Sequence, residues 1–487
     1  MMTLTLAWIA LPLIVGFSIY LLPQLARALT LVVSVVSVVY GLWHVLNPDP
    51  IVLSLVDSFG VRLIVDQLSG FFILTNAVVT AAVICYCWQT GKNAFFYTQA
   101  IILHGSMNSI FICADLISVY VALEVIGIAA FLLITYPRTD RAVWVGLRYL
   151  FVSNTAMLFY LLGAVLVYQS SRTFAFTALS GAPREAIALI FLGLLSKGGI
   201  FVSGLWLPLT HAEAETPVSA LMSGVVVKAG VFPLIRFAMM MPELAPTVRI
   251  FGVSTALLGV SFAIFAQDTK RLLAFSTVSQ LGFVLAAPAA GGFYALTHGL
   301  AKAALFLTAG NLHSRDFKVL KNNPISVSRW AVLAIAGCSV MGVPLLAGFG
   351  AKTLTSEALL PWQSNLLNIA TVGTAIAMAK LIFIPRASHD SDTDGKETVK
   401  QKTVSAGYWL AVGLLLGGLF LANGLYPDAY SLKNFAKPAV IISIGWLIYF
   451  FVIQRVSVSV SRVVEQFDHL IGAMSLVLTL LFWMVLT

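Results

Sequence analysis

Sixteen apolar runs punctuate this chain of 487 residues, each close to the roughly 20 residues that a helix needs to cross hydrocarbon. They lie at 3–22, 28–46, 66–88, 94–113, 115–136, 143–168, 186–209, 217–241, 247–267, 270–289, 292–313, 329–360 (interrupted), 365–384, 405–424, 438–455 and 470–487. A backbone in lipid must satisfy its own hydrogen bonds, so a spanning chain is either helical or a closed barrel. These runs are continuous rather than alternating, which predicts helices. Charged residues are only 10% of the chain, and mean hydropathy is +0.95. That excludes a cytosolic enzyme, a disordered chain and a fibrous protein. The expected fold is an all-α polytopic membrane protein with 14–16 transmembrane helices. No Lys or Arg precedes Arg27, so the first run lacks the basic start of a secretion signal and counts as a span.

The net charge of +9 is explained by loop bias, because no basic cluster with interleaved aromatics points to nucleic acid. Loops after odd-numbered spans carry sixteen Lys and Arg, and loops after even-numbered spans carry six. The odd loops, including the longest polar one at 385–404, are therefore expected in the cytoplasm and the N-terminus outside. Cys85, Cys87, Cys113 and Cys338 all lie in apolar runs. None forms a C-x-x-C or a Cys/His cluster, so no zinc, iron–sulfur centre or other cofactor is expected.

Charges inside the spans stand out. Even on the lenient insertion scale, each costs about 2.5–3.5 kcal/mol at mid-membrane. Glu124, Lys197 and Lys228 sit about ten residues from either end of their spans. Such residues face a bundle interior or a hydrated cavity. His298 and Lys302 are four apart and share a helix face, which reads as a relay, since His titrates near neutral pH. Lys352 follows GVPLLAGFG. Lys380, five residues before Pro385, is equally well read as snorkelling to the interface. His104 has no such partner and reads as a core residue.

Two spans look broken. The seventh ends in LWLPLTHAEAETP, with Pro208 and Pro217 around polar residues, and the twelfth contains GCSVMGVPLLAGFGAK. Broken backbone at membrane depth must line a cavity or be buried in protein. The two breaks are five spans apart, and five is an odd number of crossings. A repeated five-helix unit would thus be inverted, with spans 4–8 and 9–13 as its copies. Lys197 then corresponds to Lys352, and Lys228 to Lys380.

The stretches HAEAETPVSALMSGVVVKAGVFPLIRF, QDTKRLLAFSTVSQLGF and THGLAKAALFLTAG resemble the antiporter-like membrane subunits. These are shared by respiratory and photosynthetic complex I and by multisubunit Mrp-type cation/proton antiporters. The resemblance runs from about Asp115 to Lys352, and more loosely to residue 384. It implies fourteen core helices and a proton path along the membrane midplane. It implies roles for Glu124 in helix 5, Lys197 in broken helix 7, Lys228 in helix 8, His298 and Lys302 in helix 11, and Lys352 in broken helix 12. Asp268 and Lys270 match the polar turn before helix 10, and Ser276, Thr277 and Ser279 its hydroxyl-rich start. It also suggests that Glu124 and Lys197 meet, so that a pair which forms and breaks loads and unloads the lysine. The chain departs from the pattern at Thr297, where relatives often carry Asn, and at Val343-Pro344, where a Pro-Pro pair is common. There is no room for the long lateral helix of the largest relatives.

A division follows: N-terminal helices in 1–113, a proton-translocating core in 114–384, and a C-terminal loop and helices in 385–487. The expected function is that of a proton-translocating subunit of a hetero-oligomeric complex, preferably of the Mrp-D-like Na+/H+ antiporter kind. A proton-pumping subunit of a complex I-like quinone oxidoreductase is the alternative, and a stand-alone secondary transporter a further one. A solute site should show aromatics or amides beside a broken helix, whereas here the broken helices meet lysines. No catalytic or redox site of its own is expected. The partners are other integral membrane subunits and the bilayer, with protons as cargo, sodium as a candidate second ion, and no nucleic acid. The bacterial plasma membrane is the expected location, or a thylakoid membrane in a photosynthetic source.

Overall fold

The computed structural model describes residues 2–55, 61–387, 404–456 and 466–486. The first helices are α1 (Met2–Leu21), α2 (Ala26–Leu46), α3 (Gln67–Cys87), α4 (Ala94–Ile110), α5 (Leu116–Ile134) and α6 (Asp140–Ser171). A short hairpin of β1 (Ile51–Ser54) and β2 (Arg62–Val65) joins α2 to α3. The chain continues through α7 (Arg184–Gly198), α8 (Leu207–Glu213), α9 (Thr216–Leu221), α10 (Lys228–Met240), α11 (Ala245–Phe265), α12 (Thr269–Ala286) and α13 (Gly291–Ala309). The last helices are α14 (Phe317–Asn322), α15 (Val327–Met341), α16 (Ala347–Glu357), α17 (Pro361–Ile382), α18 (Ala406–Ala422), α19 (Leu432–Phe451) and α20 (Phe467–Leu486).

Every one of the sixteen apolar runs is helical. Among the described residues, twelve helices are each long and apolar enough to cross a membrane singly. The other four runs are the 17-residue α4, the partners α12 and α13, which meet at 112°, and the interrupted α15–α16. The chain is an integral, multi-pass membrane protein. Several starts follow from capping residues in the loops. Asp66, Asn93, Asp115, Thr139, Asp268 and Ser405 each accept from a backbone N–H in the first turn of the next helix.

Contacts between loops separate the two sides of the bundle. Loops after odd-numbered spans meet one another: Lys92 pairs with Glu215 at 2.5 Å, Arg141 with Glu213 at 3.3 Å and Arg315 with Asp268 at 3.6 Å. Loops after even-numbered spans meet on the other side, where Leu63 bridges Cys113 and Asp115 bridges Ala175. There Gln363 also donates to the Ala286 carbonyl at 3.0 Å. So α12 and α13 are two crossings, despite the bend between them. Residues 388–403 of the 385–404 loop lie outside the described residues. A cysteine at Ser391 in a cysteine-free background tests which side faces the cytoplasm. It is expected to resist impermeant thiol reagents on intact cells, and ready labelling from outside would invert the orientation.

An ion pair ties the hairpin side to the core. Arg236 on α10 forks onto the Asp66 carboxylate and donates to Ser69 Oγ at 3.1 Å. Burial raises the acid's pKa, but the Arg236 guanidinium, with the Ser69 N–H and hydroxyl, outweighs it and holds Asp66 below the ordinary aspartate range. A depressed carboxylate contributes stability above its unfolded pKa and loses it as pH falls through the folded value, here below about pH 4. Asp66→Ala should destabilise by about 3 kcal/mol, the low end for breaking a buried pair, because Asp66 keeps 23% exposure. Thermal melts of the purified protein at pH 7 check this, and an unchanged Tm refutes it.

Both predicted broken spans are broken, one of them elsewhere than expected. In span seven the break is at Gly199, with φ +70, and Phe201, with φ +54, directly after Lys197. Pro208 instead sits in the first turn of α8, where its missing N–H is harmless, so the proline reading of that break is corrected. The freed groups find partners: Trp206 Nε1 donates to the Ser196 carbonyl at 3.0 Å, and the Phe201 N–H to Thr255 Oγ1 at 3.0 Å. Span twelve opens between α15 and α16, with Gly342 at φ +85 and Leu345 at φ +75. A further irregularity went unseen in the sequence, a π-helical turn over Met222–Val226 leading into Lys228.

Candidate proton-transfer site

Glycines let the helices that carry the charges touch backbone to backbone. A Cβ on Gly230 would lie 2.3 Å from both the Gly198 nitrogen and the Leu194 carbonyl, so α7 and α10 cross beside Lys197 and Lys228. A Cβ on Gly299 would lie 2.9 Å from the Gly224 carbonyl and 3.4 Å from Lys228 Nζ, so α13 crosses at the π turn.

Lys197 ends the first half of the broken helix and is 4% exposed. Its ammonium donates to Ser153 Oγ on α6 at 2.5 Å and packs against Gly127, where a Cβ would come within 2.9 Å of it. Glu124 is one turn before Gly127 on α5 and is half-buried. Among the described residues it makes no ion pair with Lys197, which corrects the expectation that the two meet. The gap left by Gly127 makes room for the ammonium and for the serine hydroxyl that holds it.

Lys228 follows the π turn. A wide turn shifts the i→i−4 ladder and frees carbonyls. Lys228 Nζ takes them, donating to the Gly224 carbonyl at 2.5 Å and the Ser223 carbonyl at 3.4 Å. The Ser223 hydroxyl meets Thr277 Oγ1 at 2.7 Å, and Thr277 donates to the Leu273 carbonyl at 2.9 Å. That same carbonyl accepts from Lys302 Nζ at 3.1 Å. A polar string thus joins α10, α12 and α13 through a region that is otherwise apolar.

His298, one turn before Lys302, is 3% exposed, and neither ring nitrogen has a hydrogen-bond partner among the described residues. It lines a void of about 10 Å³ with Gln280, Tyr294, Thr297, Ser339 and Gly348, room for about one water among polar groups. Lys352 lies beyond. Its ammonium has no hydrogen-bond partner among the described residues and sits 4.9 Å from the Phe283 ring centroid. Gly342 makes its berth, since a Cβ there would fall 2.8 Å from Lys352 Cδ. Lys352 also lines a cavity of about 190 Å³ that includes Glu357 and Lys437, on the side of the even-numbered loops.

The structure therefore links Lys228 and Lys302 through the polar string with His298 one turn away, sets Lys197 by the crossing of α7 and α10, and places Lys352 on α16, with Glu124 half-buried on α5. Lys380 has another use. It donates to the Ala266 and Ile264 carbonyls at 2.5 and 3.2 Å and so caps the end of α11. Lys270 holds the HAEAE segment, donating to the Ala214 carbonyl at 2.8 Å. Ser153, Ser223, Gln280 and Tyr294 were missed by reasoning that looked for charges. Uncharged polar residues at membrane depth were the available sign of them. Among the described residues no cluster of His, Cys, Asp and Glu could hold a metal ion.

Residues 113–377, more than half of the chain, match the NADH:quinone oxidoreductase/Mrp antiporter transmembrane family. The chain belongs to this family. Among family relatives, "NADH-ubiquinone oxidoreductase chain 5" of Paracentrotus lividus is 28% identical over 89% of this chain and 74% of its own. A probable K(+)/H(+) antiporter protein of Rhizobium meliloti (strain 1021) is 32% identical over 66% of this chain, which spans only 36% of that protein. A chain of the Mrp complex from Dietzia sp. DQ12-45-1b shares the fold, with TM-score 0.74 and 21% identity over 99% of this chain and 59% of that one.

Proposed function

We propose that the chain is a proton-translocating subunit of a multisubunit membrane complex, of the Mrp cation/proton antiporter kind. One observation carries this reading: four lysines within the spans are held by hydroxyls, carbonyls or a ring rather than by carboxylates, and we read them as one row. An ammonium at that depth without an anion is costly, whereas a neutral amine costs far less. Each lysine can lose its proton without stranding a buried carboxylate, which a structural ion pair could not do. The path would run from Glu124 through Lys197, Lys228, Lys302 and His298 to Lys352. A water in the His298 void would link the last two, and the cavity beside Lys352 would open the path toward the even-numbered loops. The core would be 114–384, flanked by 1–113 and 385–487. Other membrane subunits would complete the complex in a bacterial plasma membrane, with sodium as a second ion.

The span of the Paracentrotus lividus relative, 89% of this chain, supports the second reading, a pumping subunit of a complex I-like quinone oxidoreductase. Purifying the complex separates the two, since flavin or iron–sulfur subunits indicate a redox-driven pump and only small hydrophobic partners an antiporter. Proton movement by the reconstituted complex, followed with a pH-sensitive dye, tests the shared claim. A complex that seals vesicles but moves no protons under either driving force refutes both.

A further inference from the structure

We propose that protons enter from the odd-loop side through a hollow between α6 and α8, and that the Tyr149 hydroxyl relays them from its inner end to Ser153 and Lys197. The proposal rests on the reading of Lys197 as a proton carrier and supplies its entrance. The hollow, about 310 Å³, is lined on α6 by Arg141, Trp144 and Arg148 and on α8 by Leu209, Ala212 and Glu213. It opens where the odd-numbered loops meet, and Arg141 pairs there with Glu213 at 3.3 Å. Ion-paired walls of this kind offer water the polar partners it needs. Arg148 lies eight residues after Asp140, the first residue of α6. The inner end of the hollow is therefore about 12 Å below the start of that helix, at 1.5 Å per residue.

Two rings stand at that depth. Tyr149 follows Arg148 on α6, and Trp206 precedes Leu209 by one turn at the start of α8. Their centroids are 5.2 Å apart, with the planes tilted by 57°, and both side chains are buried. Trp206 is fixed from behind, because its Nε1 donates to the carbonyl of Ser196, the residue before Lys197. The ring pair stands between the hollow and the lysine. Beyond it the hydroxyls are in line. Tyr149 faces Ser153, one turn on along α6, and Ser153 Oγ accepts from Lys197 Nζ at 2.5 Å. The Tyr149 hydroxyl is buried and makes no hydrogen bond of full geometry among the described residues. A buried hydroxyl left so costs stability, and a phenyl ring would pack on Trp206 without that cost. Packing alone therefore does not account for the oxygen, whereas a relay does. When Lys197 is a neutral amine, water at the end of the hollow gives a proton to the Tyr149 oxygen. The phenol proton moves on to Ser153, and the serine proton to Nζ. Each hydroxyl ends with one proton, and only the lysine gains one.

Tyr149→Phe tests this in the whole complex, reconstituted in sealed vesicles. It removes one oxygen and leaves the ring on Trp206, so the abundance of the complex and its Tm should not fall. Proton uptake should fall by about a hundredfold, the scale of a lost proton-transfer group. The two hydroxyls act in series, so Tyr149→Phe/Ser153→Ala should be no slower than the slower single variant, whereas two independent packing defects would multiply. A second measurement leaves both hydroxyls in place. In a cysteine-free background carrying Ala212→Cys, a bulky charged thiol reagent applied to the odd-loop face should stop uptake, and a reductant should restore it. Normal uptake by Tyr149→Phe, a multiplied loss in the double variant, or uptake that survives complete labelling of Ala212→Cys overturns the entrance. So does a thiol there that does not react, since a hollow without water admits no protons. With Lys197→Arg inactive, any of these results removes the entrance and leaves the carrier role of Lys197 standing. Normal uptake by Lys197→Arg removes both.

Discussion

In everted vesicles carrying the complex with Lys197→Arg, proton uptake is expected to fall to background while the abundance of the complex stays normal. Arginine keeps the positive charge, but its pKa above 12 forbids release of the proton. A lysine that only holds α7 to α6 would tolerate the change, since arginine also donates to Ser153. A lysine that carries protons would not. The berth is tight, with Gly127 leaving just enough room for the ammonium, so Lys197→Met is run beside it as a slimmer side chain without a proton. Both variants should fail. Normal uptake by the arginine variant would end the carrier role, whatever Glu124→Gln did. The structure also changes what Glu124 is expected to do. With Ser153 and not Glu124 as the acceptor, Ser153→Ala should slow uptake, whereas Glu124→Gln acts only through its field from the margin of the row.

Lys302→Met should reduce proton transport by about a hundredfold or more, the scale of losing a positioned proton-transfer group. Lys302 is fully buried, and its only hydrogen-bond acceptor among the described residues is the Leu273 carbonyl, shared with Thr277. It stands where the string from Lys228 arrives and one turn after His298, so among the described residues no other amine bridges the two halves of the row. Methionine preserves much of the volume in this packed helix. Lys302→Ala is the harsher companion, removing proton and volume together. If the methionine variant pumps at the normal rate, Lys302 is a structural residue, as the helix-capping Lys380 is, and the row has a gap that the proposed path cannot cross.

The spans, their helical nature and the residues to suspect were legible in the sequence, because the cost of burying charge does not depend on which helix lies opposite. Glu124, Lys197, Lys228 and Lys302 stand out in apolar surroundings wherever their partners are. The side-to-side alternation of loops was legible for a similar reason, since a spanning helix leaves its ends on opposite faces. The contacts were not legible. Whether Lys197 meets Glu124 or Ser153 depends on a few ångströms of helix crossing, set by Gly127, Gly198 and Gly230 together. The π turn before Lys228 was hidden because its residues suit an ordinary helix, and the close pass of Gly299 against Gly224 at that turn is a tertiary feature. Pro208 looked like a break, yet the chain broke at Gly199, where a left-handed φ costs glycine nothing and Trp206 and Thr255 supply hydrogen bonds to the opened turn. By itself the sequence determined that charges lie in the membrane. Tertiary structure decided which neutral groups hold them, because hydrogen bonds at that depth are made across helices and helix crossings are set by steric fit rather than by local pattern.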